Sequence, residues 1–235
     1  LFWLNGFFSY FVLAYFLQSK ITADFYGLID VNSNPKKFFQ NQKFVDFKKI
    51  WFYHDNIKRT NKNPDLEYLV NFEKTYKINL WERVLNERYF YKFNRFYQFK
   101  KEEILSILEQ ELKLFEEILD EIKPNYFLTY NPVFHQQKLL VDICRKRGIR
   151  VLNSCRTGIG DQTVLVENAA TLDLDLNKKI DDYNGIALKN TVKSNYDLDH
   201  KSWIDKRDVN FSNKLIGLKD FLFTSNSDLI KTNFT

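Results

Sequence analysis

Methionine is absent from the 235 residues, and cysteine, histidine, proline and glycine are scarce, at 2, 3, 4 and 7. A complete natural protein begins with its initiator methionine, so a fragment or a processed chain is expected. Cys144 and Cys155 are too few for a disulfide framework. Without a CxxC pair, and with only His54, His135 and His200 as further soft ligands, no structural zinc site is expected. This cysteine usage fits a reducing cytoplasm, and Cys144 falls in an apolar helical stripe, where a core role is expected. No nucleophile elbow, HExxH or kinase motif set is present. The acids of "DLDLNKKIDD" (173–182) alternate with leucines, the pattern of a solvated stretch and not of a metal cage.

Charge of one sign is also lacking. The net charge is +5, from 35 basic and 30 acidic residues mixed along the chain. A nucleic-acid binder gathers its positive charge on one face or tail, so no nucleic-acid partner is expected. The longest basic cluster, Arg145-Lys146-Arg147, ends a predicted helix, where cations meet the carbonyl dipole.

What is plentiful is apolar and aromatic. At 44% hydrophobic residues a sizeable core can be buried. The 23 Phe and 13 Tyr come with many Lys, Asn and Ile, the bias of an AT-rich coding sequence, so aromatic content alone argues for nothing. The opening "LFWLNGFFSYFVLAYFL" is strongly apolar. It lacks a basic leader and a small-residue cleavage site, and Asn5-Gly6 interrupts it. It is also at the short limit for spanning a bilayer. A truncated first strand, a turn at Asn5-Gly6 and a buried first helix are expected, with a membrane segment as the alternative.

Beyond it, strands and helices alternate. "DFYGLIDV" (24–31) and "FKKIWFYH" (47–54) read as strands, with "NPKKFFQNQ" as a short helix between them. "NPDLEYLVNFEKTY" begins with Asn63 as N-cap and Pro64 at the first helical position. "LWERVLNERYFY" (80–91) continues in helical form. The clearest element lies at 100–122, where Leu105, Leu108, Leu112, Phe115, Leu119 and Ile122 recur at steps of three and four. Glu and Lys are expected on its opposite face, and Pro124 ends it. "NYFLTYN" (125–131) reads as a buried strand, "HQQKLLVDICRKRG" as a helix closed by Gly148, and "IRVLNSC" (149–155) as a strand. Strand, helix and strand make a parallel βαβ unit, and the whole reads as an open α/β sheet. "TVLVEN" (163–168) adds a strand. Residues 1–168 form the expected α/β domain, and 169–235 a polar insertion followed by a linker helix over 211–223.

Open α/β sheets bind ligands outside the carboxyl ends of their strands. Those ends carry Asn5-Gly6, His54-Asp55, Asn131 with His135-Gln136, and Cys155-Arg156-Thr157-Gly158-Ile159-Gly160. Together they make a rim for a hydroxylated or anionic ligand. His135 falls in the first turn of its helix, where free N–H groups favour anions and lower a histidine's pKa. A neutral imidazole there can act as general base; the bland alternative is an ordinary helix start. In the Arg156 loop, backbone N–H groups near Gly158 and Gly160 can approach an anion that the guanidinium pairs. The alternative is a plain turn, because a lone GxG is a weak signal. Glu87 and Arg88 sit beside several aromatics, as a structural ion pair or as site residues.

"YKINLWERVLNERYFY", "FKKEEILSILEQELKLFEEILDEIKPNYFL", "HQQKLLVDICRKRGIRVL" and "SCRTGIGDQTVLVEN" together resemble the N-terminal half of capsule and surface polysaccharide biosynthesis proteins, which are similar to glycosyltransferases of the GT-B type. The likeness is best over residues 76–168, and its signatures are of moderate specificity. It implies two Rossmann-like domains across a cleft, the donor nucleotide-sugar held by a C-terminal domain missing from this chain and the glycan acceptor by the N-terminal one. The chain would then keep the acceptor side, bind no cofactor and show no transfer alone. Arg88, His135 and Arg156 match the family's polar signatures. On the two readings together His135 is the candidate base or acceptor-hydroxyl ligand, Arg156 with Thr157, Gly158 and Gly160 would bind anionic groups, and Asn131, Gln136, His54 and Arg88 are candidate substrate contacts. The sequence departs from the pattern at Asn131-Pro132, where a more polar lead-in belongs. A cytoplasmic protein at the inner face of the membrane is implied. Two alternatives stand beside this reading. One is a sugar-nucleotide epimerase on a similar scaffold. The other is a non-catalytic polysaccharide-binding component using an aromatic surface around Trp51, Phe52 and Tyr53.

Overall fold

The computed structural model describes residues 1–6, 8–31, 33–58, 62–85, 87–91, 97–156 and 163–167. Phe2–Asn5 forms strand β1, and its Phe2, Trp3 and Leu4 are all buried, as a parallel strand covered on both faces requires. It pairs in parallel with β2 (Phe25–Asp30) on one side and β4 (Tyr126–Tyr130) on the other. β3 (Phe47–Phe52) adds in parallel to β2, and β5 (Arg150–Arg156) and β6 (Thr163–Val166) complete the order β3-β2-β1-β4-β5-β6. Only β5 and β6 pair antiparallel among the described pairings. The molecule therefore has the expected open, mainly parallel, Rossmann-like α/β sheet flanked by helices.

Helices make the crossovers that parallel strands need. α1 (Ser9–Leu17) joins β1 to β2, and α2 (Ser33–Asn41) joins β2 to β3. Between β3 and β4 run α3 (Tyr53–Asn56), α4 (Leu66–Tyr76), α5 (Leu80–Val84), α6 (Arg88–Tyr91) and α7 (Lys101–Ile122). α8 (His135–Lys146) joins β4 to β5. No helix of the described residues is long and apolar enough to cross a membrane. The opening segment is instead a sheet strand followed by a nine-residue helix.

Local chemistry explains most boundaries, with two corrections. The N-cap of α4 is Asp65, whose carboxylate accepts the Tyr68 N–H at 2.9 Å, and not Asn63. The run at 80–91 is two short helices, α5 capped by the Asn79 side chain on the Glu82 N–H. α7 ends where Lys123 turns left-handed at φ 42° ahead of Pro124, and Gly148 takes φ +73° after α8, a conformation glycine adopts without steric cost. Gly27 has a different reason: a Cβ there would stand 3.1 Å from Leu4 Cδ1 and 3.4 Å from Ile50 Cγ2.

The apolar stripe of α7 is buried as expected at Leu108, Leu112, Phe115 and Leu119, but burial extends to Ile104, Ile107, Leu114 and Ile118. Glu103 and Glu111 are buried too, so the acidic residues of α7 do not all face solvent. Trp3 anchors the core, its ring 5.9 Å from that of Tyr53 and 6.4 Å from that of Phe115.

The chain divides into two compact units inside β5. The first covers Leu1–Val151 of the described residues and holds β1–β4 and α1–α8. In the second, which begins at Leu152, the described residues form the β5–β6 pair with Asn153 opposite Val166 and Arg156 opposite Thr163. Residues 169–235, where the insertion and linker helix were expected, lie outside the described residues.

Candidate functional site

Strand order runs outward from β1 in both directions, so the chain reverses direction across the sheet between β1 and β4. Such a switch point opens a crevice at the carboxyl ends of the strands. Asn5 ends β1, directly in register with Asp30 at the end of β2. Ile29 is in register with Phe52, the last residue of β3, and His54 follows two residues later in α3. This geometry brings Asp30 Oδ1 to 3.0 Å from His54 Nε2, with both side chains nearly enclosed. The contact is an ion-pair approach of a carboxylate to one imidazole nitrogen, and the facing atoms are buried; carboxylates near an imidazole favour its protonated form. Asn131, just past β4, is exposed at the same edge.

A second polar cluster lies behind this edge, centred on His135, the first residue of α8. Its backbone N–H donates to Glu87 Oε2 at 2.6 Å, and its Nδ1 lies 3.2 Å from the same oxygen. Its Nε2 lies 3.0 Å from Glu111 Oε1, the oxygen that also accepts the Tyr53 hydroxyl. Glu87 Oε1 accepts the Tyr89 N–H at 3.2 Å, and the Tyr89 hydroxyl lies against the Gln136 amide. The Phe90 ring stands 4.9 Å from the imidazole. His135, Glu87, Glu111 and Tyr53 are all buried, Glu111 at 0% exposure.

Burial alone would hold His135 neutral, but the Glu111 and Glu87 carboxylates outweigh it, and its pKa is pushed up to about 9. Burial likewise opposes ionisation of Glu87, yet the His135 imidazolium and the two backbone N–H donors bring its pKa below the ordinary value. Burial, reinforced by Glu111, raises the Tyr53 phenol well above its ordinary pKa, so it remains a donor. The cluster is a carboxylate–imidazolium–carboxylate bridge tying α3, α7, α8 and the start of α6 together.

This geometry changes several expectations. The first-turn N–H at α8 is not free for an anionic ligand, because Glu87 already occupies it. Both His135 nitrogens face buried carboxylates, which raise its pKa, and the ring is enclosed, so neither nitrogen is open to a substrate hydroxyl. Gln136 is buried behind the rim and not on it. Arg88 is half-buried, its guanidinium 5.1 Å from the centre of the Phe134 ring. His54 follows β3 at the carboxyl end of the sheet, but its side chain is 3% exposed and both ring nitrogens are buried. Arg156 ends β5, in the second unit, and Thr157, Gly158 and Gly160 lie outside the described residues. Trp51 and Tyr53 are buried, so the aromatic surface of the binding-component alternative is not present there.

Two residues of these clusters were not singled out from the sequence, Asp30 and Glu111; Tyr53 was named only for an aromatic surface, and Glu87 is the structural ion pair to another helix that was expected. Both of the missed residues carried a signal. Glu111 is four residues from both Ile107 and Phe115, hence on the apolar face, and Asp30 is the polar terminus of an apolar strand. The pairing of Glu87 with His135, separated by 48 positions, had none. Among the described residues, no three His, Cys, Asp or Glu side chains form a group that could hold a metal. Cys144 is buried in α8, where burial pushes its thiol up to about 12.

An open cleft of about 640 Å³ lies at the other end of the sheet, between the C-terminal ends of α7 and α8 and the start of β4. Two of its three basic groups are engaged: Arg147 binds Asp120 at 2.5 Å and Tyr76 at 2.6 Å, and Arg150 lies 5.3 Å from the Tyr126 ring centre, while Lys123 stands exposed. Switch-point geometry and the Asp30–His54 pair favour the carboxyl edge over this cleft as the site. The class defined is thus an open α/β protein with a polar edge at its switch point. No protein-family model, curated protein or solved structure matches the chain.

Proposed function

We propose that the chain is the acceptor-side domain of a GT-B-like glycosyltransferase that builds capsule or surface polysaccharide. The observation that carries this reading is the Asp30–His54 pair beside Asn5 at the carboxyl ends of adjacent parallel strands. A glycan acceptor offers many hydroxyls, and side-chain amides, carboxylates and imidazoles are the groups that bind and activate them. In this reading the acceptor enters by displacing the cover over His54, whose Nδ1, the ring nitrogen not facing Asp30, takes the proton of the attacking hydroxyl as that oxygen forms its bond to the anomeric carbon of the donor. The bond from that carbon to the nucleoside diphosphate breaks, and the diphosphate leaves with the electron pair. Asp30 holds the imidazole and stabilises the imidazolium. The nucleotide-sugar is bound mainly by a second domain outside this chain. The His135 bridge positions α8 and α3 behind the edge. The reaction takes place in the cytoplasm, at the inner face of the membrane.

The test is transfer of labelled sugar to glycan acceptor by the protein with its flanking sequence, comparing wild type with Asp30→Asn and His54→Ala. A loss of about 100-fold or more in kcat is expected for His54→Ala, with circular dichroism unchanged. Undiminished transfer by both folded variants removes the assignment, and the lack of a second α/β domain downstream of Thr235 removes the transferase reading.

A further inference from the structure

Helix α1, Ser9–Leu17, carries no charged residue, and its sequence SYFVLAYFL is apolar around its whole circumference. Such a helix is ordinarily enclosed. Here Tyr10, Phe11 and Ala14 face the core, while Val12, Tyr15 and Phe16 stand 47%, 45% and 60% exposed. Gln18, following the helix, ties a second turn to it: its amide donates to the Phe44 carbonyl at 2.6 Å and accepts the Asp46 N–H at 3.2 Å. That turn presents Phe44 at 61% exposure, and Ile21 beyond the helix is 48% exposed. Val12, Tyr15 and Phe16 thus stand exposed on one helix, with Phe44 and Ile21 exposed on the two turns at its end, and such concentrations mark interaction sites.

We infer that this surface docks on an anionic lipid membrane. At nine residues α1 is about 13 Å long, less than half of the roughly 30 Å hydrocarbon core, so it lies on a bilayer and does not cross it. Aromatic tips beside lysines are the composition that suits the headgroup boundary. Lys20 and Lys43 belong to the same two turns as Ile21 and Phe44, and neither has a carboxylate partner among the described residues. Neighbouring Lys36, Lys48 and Lys49 are each engaged, with Asp55, Asp46 and Glu121. The two open ammoniums match lipid phosphates. A stable dimer commonly needs about 20–30 residues a side, far more than this patch offers, so a second copy fits it less well. The inference goes beyond the acceptor assignment and is independent of the transfer chemistry.

The experiment is co-sedimentation of the chain with vesicles of phosphatidylcholine alone and with vesicles also containing phosphatidylglycerol. Binding is expected to be stronger to the anionic vesicles and to weaken with salt. The pair Phe16→Ser and Phe44→Ser is expected to lower partitioning by about tenfold or more. Lys20→Glu with Lys43→Glu abolishes the preference for phosphatidylglycerol. Because all four side chains point to solvent, both variants keep the wild-type circular dichroism spectrum. Equal sedimentation of wild type and both variants overturns the inference. So does a wild-type dimer in size-exclusion chromatography that the serine pair converts to monomer. Sugar transfer does not enter the readout, so failure here leaves the acceptor assignment untouched, and the reverse holds.

Discussion

Glu87 holds His135 twice with one oxygen, through the backbone N–H at 2.6 Å and through Nδ1 at 3.2 Å. The carboxylate therefore caps α8 from a distant part of the chain and neutralises the imidazolium at that helix's first residue. Glu111 closes the other side of the ring at 3.0 Å. The first N–H of α8 is thus satisfied internally, and Asn5, Asp30 and His54 lie at the carboxyl ends of the strands in front of it.

Removing Glu87 should be severe. Glu87→Ala strands a buried cation and an α8 N–H, and a destabilisation of about 3–5 kcal/mol is expected. Glu87→Gln keeps an acceptor for the N–H and should cost less. Urea unfolding of the two variants checks the order. Equal losses would mean that the charge contributes nothing.

Stability should depend on pH through the same bridge. His135 rises from about 6.5 to about 9 on folding, so its contribution is complete below about 6.5 and is lost as the pH climbs through about 9. Its upper value is about 3 kcal/mol. Glu87 moves the other way: its pKa is below the ordinary value, so its contribution holds above that value and fades as the pH falls through the lowered one. Thermal unfolding from pH 6.5 to 9 should show a falling Tm. The slope should be flatter in a folded His135→Gln variant.

Gly27→Ala tests the close approach of β1, β2 and β3. The new Cβ would meet Leu4 and Ile50 at 3.1 and 3.4 Å, and a loss of about 1–3 kcal/mol from overpacking is expected. An unchanged urea midpoint would show that the strands separate without cost.

Asp65→Ala and Asn63→Ala should differ at the start of α4. Loss of the side-chain cap on the Tyr68 N–H costs about 1 kcal/mol. Asn63 lies ahead of the cap, and its replacement should fall within about 0.5 kcal/mol of wild type. Equal effects in denaturant unfolding would contradict the cap assignment.

Much of the fold was legible because it is written in local periodicity. The recurrence of Leu108, Leu112, Phe115 and Leu119 marked α7, Pro124 its end, and Gly148 the close of α8. The βαβ spacing from Tyr126 to Arg156 marked parallel pairing. Less of the site was legible. The strand-end positions of His54 and Asn131 were legible because strand ends can be counted along the chain. The role of His135 was misjudged because its first-turn position implied an open N-terminus, whereas Glu87 fills it.

The sequence by itself determined the alternation of strands and helices, the open parallel class and the edge on which polar residues gather, since these follow from side-chain period and from turn residues a few positions apart. Only the tertiary structure decided which carboxylates meet which histidines. Asp30 and His54 lie 24 positions apart, and Glu87 and Glu111 meet His135 across 48 and 24. A buried ion pair is governed by the three-dimensional approach of groups removed from water, which no local spacing encodes.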